Sequence, residues 1–114
     1  MANDMSDEPK AGDVLARLAA TIEARLNADA GTSYVASLAA KGQDAILKKV
    51  AEEAAETLLA SKDGDKLHLI RETADLWFHC MVLLAWHGAG PADVLAELER
   101  REGTSGIAEK NARR

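Results

Sequence analysis

The sequence predicts an all-α protein: about five helices arranged around a central antiparallel helix hairpin that carries an acidic cluster. Three observations lead there. Hydrophobic residues make up 47% of the 114 residues but aromatics only 4%, and the apolar fraction is mostly alanine and aliphatic residues with few β-branched runs, a composition that favours helix over strand. Apolar residues recur at three- and four-residue spacing in successive segments, the period of a helix with one buried face. Glycine, proline and aspartate fall between those segments, where helices stop and start. A chain of this length holds one domain with a single core.

Residues 1–11 are polar, contain Pro9 and lack periodicity, so they are expected to form a disordered arm. Asp13 is placed to cap a first helix, in which Val14, Leu15, Leu18, Ile22 and Leu26 share a face as far as about Asn27. Thr32 or Ser33 then caps a short helix from Tyr34 to Ala40, closed by Lys41 and Gly42. A third helix runs from about Gln43 to Ser61, with Ile46, Leu47, Val50, Ala51, Ala54, Ala55 and Leu58 as its apolar face and the carboxylates and Lys49 opposite. Lys62-Asp63-Gly64-Asp65 is a turn, and Asp65 is suited to cap a fourth helix from Lys66 to His87. Beyond Asp75 that helix is apolar almost all round, which calls for burial on every side and makes dimerisation through the third and fourth helices the economical solution. Gly88-Ala89-Gly90-Pro91 ends it, and a fifth helix to Arg101 points Val94, Leu95 and Leu98 inward. The helical domain thus spans residues 12–102, and residues 103–114 read as a polar, frayed tail.

Composition excludes several classes. A formal net charge of −5 without a Lys/Arg stripe or an aromatic platform argues against a nucleic-acid polymer as partner. The apolar run from Leu76 to Trp86 is about half the length that spans a bilayer and is interrupted by His79, so no membrane is implied. The N-terminal MANDMSDEPK has no basic and apolar regions of a secretory signal, and a cytoplasmic location is expected. Cys80 stands alone, flanked by apolar residues, and reads as a buried core thiol.

The chemistry is concentrated in KKVAEEAAE and RETAD. At about 100° per residue, Glu52, Glu53 and Glu56 fall within one arc of about 100°, and Glu72 and Asp75 lie about 60° apart on the next helix. Turned together, these faces enclose carboxylates too crowded to ionise fully unless cations fill the space. Ligands that are all oxygen select hard ions, with Mg²⁺ first. The same residues could instead be a solvated helix face, Lys49 pairing with Glu52 and Glu53. Glu72 and Asp75, however, open a helix whose continuation must be buried, and buried carboxylates need partners.

His79, one turn beyond Asp75, is open to three roles: a satisfied core histidine, an orienting partner for a ligating carboxylate, or a phosphate contact. Trp77 and Trp86 are core or interface residues. Lys48 and Lys49 are either surface cations or, for Lys49 on the carboxylate face, a contact for phosphate oxygens. There is no GxxxxGKS/T loop, GxGxxG, nucleophile elbow or HExxH, so any phosphate binding runs through metal and side chains.

SYVASLAAKGQDAILKKVAEEAAE, ETADLWFHCMVLLAWHG and ADVLAELERR together resemble the phosphoribosyl-ATP pyrophosphohydrolase family, histidine-pathway members of the all-α nucleotide pyrophosphatases related to MazG. The resemblance covers about Asp13 to Arg101. The superfamily's ExxE and ExxD motifs are met by Glu53 with Glu56 and by Glu72 with Asp75; Ser33-Tyr34, Lys41-Gly42, Lys48-Lys49 and His79 point to this member. Phe78 stands where the family usually has tyrosine, and Trp77 and Cys80 replace aliphatic residues.

The resemblance implies a MazG-like bundle completed by dimerisation. It implies hydrolysis of phosphoribosyl-ATP to phosphoribosyl-AMP and pyrophosphate by a metal-activated water. Glu53, Glu56, Glu72 and Asp75 would hold Mg²⁺, with Glu52 as base or further ligand and Ser33, Tyr34, Lys41, Lys48, Lys49 and His79 against the substrate. Some relatives carry a fused cyclohydrolase for the next step; the length of this chain implies a separate one. The alternatives are a MazG-type housekeeping nucleoside triphosphate pyrophosphatase, which would use the same metal site, and a noncatalytic helical dimerisation module.

Overall fold

The computed structural model describes residues 11–113, and the expected N-terminal arm lies outside the described residues except at Ala11. Six helices follow one another: α1 (Ala11–Leu26), α2 (Tyr34–Ala40), α3 (Gln43–Asp63), α4 (Lys66–Trp86), α5 (Pro91–Arg101) and α6 (Gly106–Ala112). No strand occurs among the described residues. The all-α class and the central α3–α4 hairpin are as the sequence predicts; α3 and α4, each 21 residues long, make the most extensive helix pairing in the chain.

Local chemistry sets the boundaries. Asp13 does not cap α1: the helix starts two residues earlier, leaving Asp13 in its first turn, where a carboxylate favours the helix dipole. Ser33 caps α2, its hydroxyl accepting the Ala36 N–H at 3.0 Å, and Asp65 caps α4 by accepting the His68 N–H at 3.2 Å. Two tight corners need glycine. Gly42, at φ 98°, joins α2 to α3 directly, and Gly64, at φ 78°, ends α3 in the left-handed conformation that turns the chain into α4.

The core lies toward one end of the hairpin. Ile22 of α1, Val35 and Leu38 of α2, Ile46 of α3, and Met81 and Val82 of α4 form the buried cluster, with Leu15, Leu18, Leu26, Phe78 and Leu83 packed around it. Ile46 and Val82 are completely buried. This anchors the start of α3 to the end of α4, and the carboxylates lie farther along α3, toward the turn.

Several faces differ from expectation. The residues α3 buries are Ile46, Glu53 and Ala60, one every seven positions, so a carboxylate faces α4 while Leu58 and Leu59 remain 69% and 65% exposed. The expected division, apolar residues inward and carboxylates outward, is therefore rotated. α3 carries apolar residues on more than one side, and small, buried Ala60 lies on the same side as Glu53. On α4, Leu67, Ile70 and Trp77 are also exposed, Trp77 at 60%, so the single chain does not bury this helix all round. Trp86 is exposed and Cys80 is half-buried, neither being core. Val94, Leu95 and Leu98 of α5 are not packed inward but line an open apolar groove with Leu15, Trp77, Cys80 and Leu84. The expected frayed tail contains α6, capped by the Ser105 hydroxyl on the Ala108 N–H at 3.1 Å. Buried Glu109 ties α6 to α5 by an ion pair with Arg100, and Arg113 lies 3.5 Å from the same carboxylate.

Candidate metal centre

The hairpin brings Glu53 and Glu56 of α3 against Glu72 of α4, with one carboxylate oxygen from each lying within 4.8 Å of the others. Glu53 and Glu56 share a side of α3 because they are three residues apart, and the antiparallel return of α4 presents Glu72 to that side. Glu53 is 6% exposed, Glu72 half-buried and Glu56 exposed, so the cluster opens to solvent at Glu56.

Two features fit a group of donors that could hold a cation. Glu72 Oε1 is buried without a hydrogen-bond partner, an arrangement that native proteins avoid because an unpaired acceptor forfeits its solvation. The Glu56 carboxyl is held above the usual carboxylate range, first by its hydrogen bond with Glu72 and then by that residue's charge, with burial and Asp75 adding to it and Lys49 opposing. A divalent ion held here would offset the crowding of these carboxylates and offer a partner to the Glu72 side chain. The spacing suits this, because the oxygens around one such ion lie roughly 4–5 Å apart across its shell. The residues present thus fit a hard divalent cation.

Lys49 lies beside the triad, its Nζ 3.5 Å from Glu53 Oε2 and 3.7 Å from Glu52 Oε1. Partial burial works against the ammonium, but Tyr34, Glu53 and Glu52 more than offset it and hold its pKa above the usual lysine value. Glu52 is exposed on the solvent side of Lys49. Asp75 is exposed and stands outside the triad, although close enough to affect Glu56.

His79 is buried, and both ring nitrogens are engaged. Nδ1 lies 2.8 Å from the Asp75 main-chain carbonyl, which can only accept, so Nδ1 donates. In the neutral ring Nε2 then accepts the Tyr34 hydroxyl at 2.8 Å. The ring therefore touches the backbone of Asp75 rather than its carboxylate, and it is Tyr34, half exposed, that reaches solvent. Phe78 stacks edge-on to His79, with ring centroids 5.3 Å apart. The Ser33 hydroxyl is occupied in capping α2; Lys41 forms the C-cap of the same helix, and Lys48 is exposed on α3.

Two further residues make contacts at the cluster: His68, which continues the polar stripe of Glu72, Asp75 and His79 upstream in the sequence, and Thr57, which spacing had not singled out. His68 Nε2 is 3.4 Å from Glu72 Oε2, and its Nδ1 is 3.8 Å from Asp63. The Thr57 hydroxyl lies between the two helices, 2.8 Å from the Glu53 carbonyl and 3.2 Å from that of Glu72. The available signals were four-residue spacings, His68 to Glu72 and Glu53 to Thr57, which align side chains on one helix face.

Comparison with known proteins places this geometry in a family. The profile described as Phosphoribosyl-ATP pyrophosphohydrolase matches residues 15–102. A "Phosphoribosyl-ATP pyrophosphatase" of Chromobacterium violaceum is 68% identical over 102 residues, covering 90% of this chain and 94% of that protein. A protein of the same name from an Azoarcus species is 61% identical, covering 90% of this chain and 95% of its own. The Bordetella avium protein of that name is 57% identical over 113 residues, covering 96% and 97% of the two chains. A family match across 15–102, joined to an all-α hairpin with converging carboxylates, leads to one conclusion: this chain belongs to the phosphoribosyl-ATP pyrophosphohydrolase family.

Proposed function

We infer that this chain hydrolyses phosphoribosyl-ATP to phosphoribosyl-AMP and pyrophosphate in L-histidine biosynthesis, using Mg²⁺ held by Glu53, Glu56 and Glu72 with Asp75 as a further ligand. The observation that carries the reading is the convergence of three carboxylates, one with an orphaned oxygen, in a member of this family. Hard oxygen donors favour Mg²⁺ over softer ions.

When bound, the cation supplies charge neutralisation for the triphosphate and acidifies a water at the reacting phosphorus. The remaining work belongs to the chain. Lys49, whose charge is reinforced by Glu53 and Glu52, binds phosphate oxygens, and Lys48, one position earlier, adds a second cation at the exposed rim. Glu52 orients the attacking water and accepts its proton as the oxygen adds to the α-phosphorus and the α–β anhydride bond breaks. Tyr34, fixed by His79, together with Ser33 and Lys41 from the neighbouring α2, contacts the substrate.

The exposed Leu58, Leu59, Leu67, Ile70 and Trp77 support a homodimer through α3 and α4, since monomers rarely leave so much large apolar surface uncovered. No helix among the described residues is long and apolar enough to cross a membrane. A substrate panel tests the reading: Mg²⁺-dependent pyrophosphate release is expected from phosphoribosyl-ATP and not from ATP, dUTP or dCTP. Preference for a plain triphosphate would replace it with a housekeeping pyrophosphatase, and inactivity on all four would favour a noncatalytic dimer.

A further inference from the structure

The α3–α4 hairpin has to hold carboxylates from two helices in register, and one side chain is placed to do so. Threonine hydroxyls in helices commonly bond the carbonyl four residues back. Among the described residues, Thr21 on Arg17 at 3.1 Å and Thr73 on Leu69 at 2.8 Å make this bond alone. Thr57 bonds its own Glu53 carbonyl at 2.8 Å and also approaches the Glu72 carbonyl of the facing helix at 3.2 Å. The two carbonyls it draws together belong to two of the three residues whose carboxylates converge.

We propose that Thr57 is a positioning residue for the metal centre, a hydroxyl strap that fixes the relative register of α3 and α4 where Glu53 and Glu72 leave the backbone. This rests on the reading of the triad as a cation site. Each carbonyl lies in a continuous helix and keeps its helical N–H partner, so the hydroxyl is surplus to backbone pairing. Its distinct contribution is to tie one helix to the other. A slip of a few tenths of an ångström between them would move Glu72 Oε1 relative to Glu53, and Mg²⁺ tolerates little departure from its preferred coordination. Thr57 touches no ligand oxygen. Its effect therefore falls on cation affinity, through two main chains.

The test uses the full chain and Mg²⁺ alone, without substrate, reading melting temperature against Mg²⁺ concentration for wild type, Thr57→Val, Thr57→Ser and Thr73→Val. Valine removes the hydroxyl at nearly constant volume, serine keeps it, and Thr73→Val deletes a hydroxyl on the same hairpin that bonds only its own helix. Thr57→Val is expected to need about tenfold more Mg²⁺ for the half-maximal shift, in the range found when groups supporting metal ligands are lost. Thr57→Ser and Thr73→Val should titrate as wild type. A Thr57→Val curve superimposed on wild type, or an equal displacement in Thr73→Val, overturns the strap while leaving the cation site intact. Loss of the folded state by circular dichroism in both Thr57→Val and Thr57→Ala would make the hydroxyl a folding element and also overturn it. Absence of any Mg²⁺ response in wild type overturns the cation reading itself, and the strap with it.

Discussion

Replacing Glu53 with glutamine separates the two functions that the metal reading assigns to this buried carboxylate. In the metal-free chain its charge is repelled by Glu72, with ligand atoms within 4.8 Å, and attracted by Lys49 at 3.5 Å. With an effective dielectric of about 20 the repulsion is at least about 3.5 kcal/mol and the attraction about 4.7 kcal/mol, so the two largely offset each other. Solvent around Lys49 lowers the attraction further, and solvent around exposed Glu56 weakens its repulsion. Glu53→Gln should therefore leave the metal-free melting temperature within about 4 °C of wild type. Saturating Mg²⁺, at about 100 times its Kd, should stabilise wild type by about 2.7 kcal/mol, or about 10 °C, and the variant hardly at all. Circular dichroism melts with and without Mg²⁺, paired with pyrophosphate release, read both effects. A variant that keeps the full Mg²⁺ shift would refute the ligand role, and one that collapses without metal would refute the cancellation of charges.

Glu56 makes the centre pH-dependent. Its carboxyl is raised by the contact with Glu72, so the folded metal-free chain binds that proton more tightly than the unfolded chain does. The resulting stabilisation is complete below the ordinary glutamate range and fades as pH rises through the raised value. Mg²⁺ competes with the same proton, so the Mg²⁺ concentration for half-maximal stabilisation should increase as pH falls through that range, and a pH-independent midpoint would contradict a raised Glu56 carboxyl. At the other end of the chain, Arg100 and Arg101 lower the Glu97 carboxyl to about 2. Stability from this cluster is therefore present above the normal glutamate value and is lost as pH falls toward about 2; Glu97→Gln should flatten the acid limb of the melting profile without changing Mg²⁺-dependent rate. Ile46→Ala, at a completely buried site, should cost about 2–5 kcal/mol in denaturant unfolding yet leave the Mg²⁺ midpoint of the folded protein unchanged; a shifted midpoint would link the core to the centre.

Much of the helix pattern was legible because it rests on local chemistry. Ser33 and Asp65 announce their helices by side-chain capping, and Gly42 and Gly64 mark corners where φ is positive. Facing was harder to read. Leucines at 47, 58 and 59 and alanines at 51, 54, 55 and 60 give α3 more than one apolar side, and spacing alone does not say which side meets α4 and which awaits another surface. That ambiguity concealed the burial of Glu53. α6 escaped because GIAEKNA has one large apolar residue, exposed Ile107; its docking depends on Glu109 meeting Arg100, a contact no periodicity reveals. Within the candidate site, the convergence of Glu53, Glu56 and Glu72 followed from helix geometry once the hairpin was recognised. The closed bonding of His79 and the double contact of Thr57 depend on the distance between helices, which a sequence does not specify.

The reaction we propose is cleavage of phosphoribosyl-ATP at the α–β anhydride by this hairpin with the aid of a divalent cation. The most direct test is to quantify the phosphorus products from that substrate with the purified chain, in Mg²⁺ and in EDTA. One pyrophosphate for each phosphoribosyl-AMP in Mg²⁺, and neither in EDTA, is the predicted result. Orthophosphate in place of pyrophosphate, or equal turnover in EDTA, would contradict it.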